Sequence, residues 1–213
     1  MLDIDKKEVL RYLGYKQNPD EKTDSLIDLC INEISLAASP KTVYAVFDIH
    51  GESLENTVFT LCGNDIKNHL LGCSKCVLMA ATLGGEVERK IAQAQVSDMA
   101  KALILDAVAT AAIESVCDNL CVEIEKEIAP LKLTTRFSPG YGDFPLEMQR
   151  DLISVLDASR KIGLTLTPEN IMIPRKSVTA VMGITEKERV PKACGTCNLK
   201  DTCTYRKEGI TCE

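Results

Sequence analysis

Three observations predict an α+β domain from this chain of 213 residues. Short apolar runs rich in β-branched residues recur in the order strand, helix, strand, long helix, strand, helix, strand. One helical tract, residues 86–129, is much longer than its neighbours. No Gly-x-Gly-x-x-Gly turn and no internal repeat is present, which argues against a dinucleotide fold or a solenoid.

The elements follow in order. Asp5 and Glu8 form a capping-box pattern for a short helix that stops at Gly14. After the polar run "KQNPDEKTD", a second helix is expected over 25–38, with Leu26, Ile27, Cys30, Ile31 and Ile34 on its apolar face and Pro40 beyond its end. "TVYAVFDI" (42–49) and "TVFTL" (57–61) predict two strands joined through a turn at Gly51. Asn64 is placed to cap the helix "DIKNHLL", and "CVLMAATL" (76–83) predicts a buried strand ending at Gly84-Gly85. In the long tract, Ile113, Cys117, Leu120, Ile124 and Ile128 recur at helical spacing until Pro130 stops the pattern. "LKLTT" reads as a strand, and Pro145 suits the first turn of a helix ending near Gly163. "LTLT", "NIMI" and "SVTAVMGI" complete the domain as strands. The composition turns charged and Cys-rich near Glu186, which divides the chain into a domain over 1–185 and a tail over 186–213.

Hydrophobic residues make up 45% of the chain and aromatics only 4%, with no Trp, so the core is aliphatic and alanine-rich. The net charge is −6, and Lys and Arg are scattered, which excludes a phosphate-contacting nucleic-acid binder. The start of the chain has no apolar signal core. "ALILDAVATAAI" (102–113) is shorter than the roughly 20 residues a bilayer needs, and Asp106 interrupts it. The expectation is a cytoplasmic protein whose ten cysteines are reduced, buried or bound to metal.

Four of those cysteines, Cys194, Cys197, Cys203 and Cys212, lie in the tail "CGTCNLKDTCTYRKEGITC". A Cys-x-x-Cys pair chelates a metal from one turn, and two more thiolates complete a tetrahedral set for zinc or a [4Fe–4S] cluster. The unequal later gaps fit paired zinc ribbons poorly and lean towards the cluster; a tail that binds nothing is the alternative. In "CSKC", Cys73 reads as a loop cysteine and Cys76 as core; Cys30, Cys62, Cys117 and Cys121 read as core. "DIHGES" falls short of a cobalamin-ligating Asp-x-His-x-x-Gly motif because Ser53 stands where glycine is needed, so His50 is assigned to the hairpin. His69 has no partner identifiable in the sequence.

Within the apolar helix, Asp106, Thr110 and Glu114 fall at i, i+4 and i+8 on one stripe. Burying a carboxylate is costly unless it is paired, so the stripe is expected to face a partner, a ligand or a wet groove. A plain solvent boundary is the alternative. Arg136 is the nearest cation in sequence that could stand opposite. It opens "RFSPGYGDFP", where a proline and two glycines impose a sharp turn close to something else.

That stretch, followed by a helix and by "GLTLTPENIMIPRKSVTAVMGI", resembles the activation (reactivation) domain of cobalamin-dependent methionine synthase. The resemblance rests on Arg-x-x-Pro-Gly-Tyr and on Met-x-Pro-x-x-Ser-Val, matched by Met172, Pro174, Ser177 and Val178, and covers about residues 136–184. It implies a curved antiparallel sheet flanked by helices, one of them long and central. It also implies an S-adenosylmethionine groove held by Arg136, Pro139, Gly140 and Tyr141. Arginine grips a carboxylate, glycine admits close backbone approach, and tyrosine offers a flat face. Glu114 or Asp106 is the candidate acidic partner. The family's acidic residue six positions before the arginine is replaced by Pro130.

The function so implied is a methyltransferase component of methionine biosynthesis. It would methylate, reductively, the cobalamin carried by a separate methionine synthase or corrinoid protein, with a flavodoxin or ferredoxin as electron donor. The synthase's homocysteine, folate and cobalamin modules are not in this sequence, which reads as a stand-alone form. An alternative is a non-catalytic, metal-stabilised adaptor that binds a corrinoid protein. A conventional methyltransferase fits less well, because the turn in "TLGGEVER" lacks an acidic strand-end residue to hold a ribose.

Overall fold

A computed structural model describes residues 2–186. Its centre is a five-stranded antiparallel sheet of β1 (Lys41–His50), β2 (Ser53–Leu54), β3 (Lys75–Thr82), β4 (Lys132–Leu133) and β7 (Ser177–Thr185), ordered β2-β1-β3-β7-β4. A separate ribbon pairs β5 (Thr165–Leu166) with β6 (Met172–Ile173). The fold is α+β, as the element order predicts.

β3 and β7 are buried on both faces, which is why "CVLMAAT" and "SVTAVMGI" read as continuous apolar runs rather than alternating ones. On one face, Val77, Met79, Ala81, Ala180, Met182 and Ile184 meet helices α1 (Lys6–Tyr12), α2 (Glu21–Ala37), α4 (Gly85–Ser97) and α5 (Met99–Glu127). On the other, Leu78, Ala80 and Val181 meet α3 (Asn64–His69), α6 (Met148–Leu156) and α7 (Ala158–Ile162), together with Phe59, Phe137 and Phe144. Ala102, Ala109 and Ala112 of the 29-residue α5 are buried, and their small side chains admit a close approach to the sheet.

Several expectations about local structure are corrected. The tract at 86–129 is two helices, because Asp98 leaves helical geometry (φ −153°, ψ 94°) and its side chain accepts from Lys101 N–H to start α5. The second helix begins at Glu21, inside the polar run, because Asp20 caps it through Thr23 N–H. Asp5 does cap α1, but through Lys7 N–H, and Glu8 pairs with Arg11 instead of closing a capping box. "TVFTL" is not a strand; only an isolated bridge joins Ser53 and Thr60. The helix expected to run on to Gly163 breaks at Asp157, which sits in the left-handed region (φ 54°).

Candidate functional site

β4 ends at Leu133, but the chain continues along β7 far enough for Phe137 to exchange main-chain hydrogen bonds with Val181 at 3.0 and 2.9 Å. Side chains alternate across the sheet, so Phe137 points into the second core while Arg136 turns towards α5. Two residues on, the same register brings Pro139 opposite Thr179. Proline has no N–H to give, and the pairing stops. No bond to the Thr179 main chain is found among the described residues, although Thr179 is 2% exposed. Pro139 is buried, Gly140 turns the chain at φ 91°, and Tyr141 stands 55% exposed with its ring edge-on to Phe137 at 6.0 Å.

Arg136 bridges two carboxylates one helical turn apart on α5. Its Nη2 donates to Glu114 Oε2 at 2.7 Å and its Nη1 to Asp118 Oδ1 at 2.6 Å. Burial works against this guanidinium's charge, but the bond to Asp118 and the surrounding carboxylates outweigh it and raise its pKa above the ordinary value. Of the five N–H donors an arginine carries, others remain for a ligand, and a fifth of the side chain is exposed. α1 closes the same corner. Burial, then the charge of Glu114, pushes the Tyr12 phenol up, and Arg11 stacks over the Tyr12 ring at 4.4 Å.

The loop is held from beneath. Asp143 accepts from Asn64 N–H at 2.7 Å and Asp65 N–H at 2.9 Å, so it caps α3, and Asn64, the expected cap, is instead the first helical residue. His69, without a partner in the sequence reading, is held in the structure: its Nε2 lies 2.9 Å from Thr134 Oγ1 and 2.8 Å from the Thr135 carbonyl. Its ring packs 5.0 Å from that of Phe137. These contacts fix the segment that carries Arg136.

Asp106 is at the other end of the stripe, about 12 Å from Glu114 at 1.5 Å per residue. It pairs with Lys176 at 2.9 Å, and Lys176 also donates to Thr110 Oγ1 at 2.9 Å. Beside this pair lies a depression of about 310 Å³ lined by Glu88, Ile91, Arg175 and Lys176, where the Arg175 N–H bonds Glu88 at 2.9 Å. The structure therefore brings Glu114 to Arg136 and leaves Asp106 with a different cation. Cys30, Cys76, Cys117 and Cys121 are buried, whereas Cys62 and Cys73 are partly exposed.

Cys194, Cys197, Cys203 and Cys212 lie outside the described residues. Among the described residues, no group of three or more His, Cys, Asp or Glu side chains is placed to hold a metal, and no helix is long and apolar enough to cross a membrane.

The sequence reading missed Asp118, Lys176, Tyr12 and Asp143. Asp118 was accessible, since it continues the i, i+4 series Asp106, Thr110, Glu114 by one more turn. The others depend on contacts between segments distant in sequence and carry no local signal.

No family model matches the sequence, and no curated protein matches it. Among solved structures, the chain is similar to the crystal structure of the MetH reactivation domain bound to AdoHcy, with a TM-score of 0.64 and 13% identity. The match covers 98% of this chain and 82% of that one. At that identity the likeness establishes the fold.

Proposed function

We propose that this protein binds S-adenosylmethionine between the Arg136–Tyr141 loop and α5, and serves reductive methylation of cobalamin on a partner methionine synthase or corrinoid protein. The observation that carries the reading is the bridge from Arg136 to Glu114 and Asp118, which fixes a cation beside two anions at the edge of the sheet. The fold's likeness to a domain bound to AdoHcy supports the same ligand class.

The residues fit such a molecule. The spare guanidinium N–H groups of Arg136 suit the methionyl carboxylate. Glu114 and Asp118, respectively 39% and 69% exposed, suit its ammonium and sulfonium charges. Gly140 admits close backbone approach, and the exposed Tyr141 ring, set by Phe137, offers a stacking face. S-Adenosylmethionine supplies a methyl group bonded to a positively charged sulfur. An external flavodoxin- or ferredoxin-type donor supplies the electron that restores the partner's reduced cobalamin; the methyl group then leaves sulfur for that cobalamin, and S-adenosylhomocysteine remains. This chain's own part would be to hold the sulfonium end through Glu114 and Asp118 and the carboxylate through Arg136. The tail cysteines are proposed to bind a [4Fe–4S] cluster or zinc.

Calorimetric titration with S-adenosylmethionine tests the core of the proposal. The wild type is expected to bind, and Arg136→Ala is expected to lose at least one charge-assisted bond, about 1.5–3 kcal/mol or roughly ten- to a hundredfold in affinity. No binding by the wild type, or equal binding by the variant, rejects it.

A further inference from the structure

β1 is an edge strand over most of its length. β2 covers only Ile49 and His50, and the Asp48 carbonyl accepts from Glu55 N–H at 3.0 Å. The ladder to β3 fixes which groups remain open. Ile49 N–H bonds the Ser74 carbonyl at 2.9 Å; in that register Val43, Ala45 and Phe47 spend their main-chain groups on β3, and those of Thr42, Tyr44 and Val46 point outward. No partner for any of them is found among the described residues. The usual protections of an edge, such as a proline or a bulge within the strand, are absent from 41–48, which pair with β3 without interruption. Thr42 is exposed, and so is Val46 at 42%.

We propose that this edge is a dimerisation surface, occupied by β1 of a second copy running antiparallel about a two-fold axis at Tyr44. Only residues with outward-facing groups can exchange bonds, so the register must pair 42, 44 and 46 among themselves. Centred on Tyr44, it opposes Tyr44 to Tyr44 and Thr42 to Val46, and it uses all the open N–H and C=O groups of these three residues. The pairing ends where Pro40, which has no N–H, meets Asp48, whose carbonyl is already taken. The opposed side chains, aromatic on aromatic and β-branched on β-branched, are favourable cross-strand pairs. Arg136 lies beyond β3 and β7, at the edge of the sheet opposite β1.

Sedimentation velocity over a micromolar-to-millimolar series of the full chain tests this, with no dependence on S-adenosylmethionine. The wild type is expected to shift towards twice the 23.3 kDa chain mass. Val46→Pro removes an outward donor and leaves the ladder to β3 intact, a position at which an edge strand tolerates proline. Tyr44→Glu sets two like charges across the axis and places each beside Glu127, the carboxylate to which the Tyr44 hydroxyl donates at 2.6 Å. Both variants are expected to remain monomeric, with the circular dichroism spectrum of the wild type. If Val46→Pro fails to fold, Tyr44→Glu decides. A wild type that is monomeric throughout overturns the proposal, as does a dimer that persists in a folded variant.

Discussion

Asp65 and Asp143 cap one another across 78 residues of sequence: the Asp143 carboxylate accepts from Asp65 N–H at 2.9 Å, and the Asp65 carboxylate accepts from Asp143 N–H at 3.1 Å. This reciprocal pair fastens the turn that follows Pro139-Gly140-Tyr141 to the start of α3. The loop proposed to bind the ligand is therefore positioned before any ligand arrives.

Asp143→Ala is expected to lower the thermal midpoint and weaken S-adenosylmethionine binding several-fold, because the loop loses its anchor. The N–H groups of Asp65 and Asn64 hold the Asp143 carboxyl below its ordinary value of 3.8. Its stabilising contribution is thus present above that value and is lost as pH falls through the lower, folded-state value. The midpoint difference between wild type and variant should shrink in acid. A difference that stays constant into strong acid contradicts the assignment.

Gly63→Ala and Gly142→Ala test the same junction from its backbone. Both glycines have positive φ, 109° and 54°, and a Cβ at either would run into the Asp143 or Asp65 carboxylate. Each substitution is expected to cost about 1–3 kcal/mol in denaturant unfolding. Gly72→Ala is the control, with φ 84° but open space around a new Cβ; it should cost less.

Glu114→Gln and Asp106→Asn separate the two acids that share a stripe. Glu114 is bonded to Arg136, whereas Asp106 is held by Lys176 about 12 Å away along α5. Glu114→Gln is expected to weaken binding about tenfold, the loss of one charge-assisted bond; Asp106→Asn should leave it unchanged in the same titration. The reverse order would move the site to the depression beside Lys176.

The residues explain which parts of this design were legible in the sequence. β3 and β7 were, because burial on both faces leaves an apolar run bounded by turn residues. The stripe on α5 was, because carboxylates among alanines violate the local pattern at a regular spacing. The break at Asp98 was not: Asp98 lies within a tract of strong helix formers, and its capping of Lys101 ends one helix by starting another. Asp143 was not legible either, since its partners are 78 and 79 residues away and the nearer Asn64 offers a local cap. The open main chain at Thr179 follows from a register that only the bridge between Phe137 and Val181 reveals.

The buried thiols make a last prediction, about alkaline stability. Burial pushes the Cys30 thiol up to about 11, and the Cys76 and Cys117 thiols up to about 12, from an ordinary value of 9.0. Their contribution is fully present below pH 9 and is lost as pH rises through the folded-state values, because the unfolded chain can release these protons and the folded one resists. With reductant present, the denaturant midpoint should hold steady to about pH 9 and fall from there towards pH 11. The Tyr12 and Tyr44 phenols are also raised above 10.0 and add to the fall at its upper end, so the attribution needs a cysteine variant. Cys117→Ala should start from a lower midpoint and fall less steeply between pH 9 and 10. Thiol labelling at pH 8 supplies an independent readout: among the described cysteines, Cys62 and Cys73 should react well before Cys30, Cys76 and Cys117. A flat midpoint through pH 10, or early labelling of Cys117, would show that this core does not exclude the thiolate.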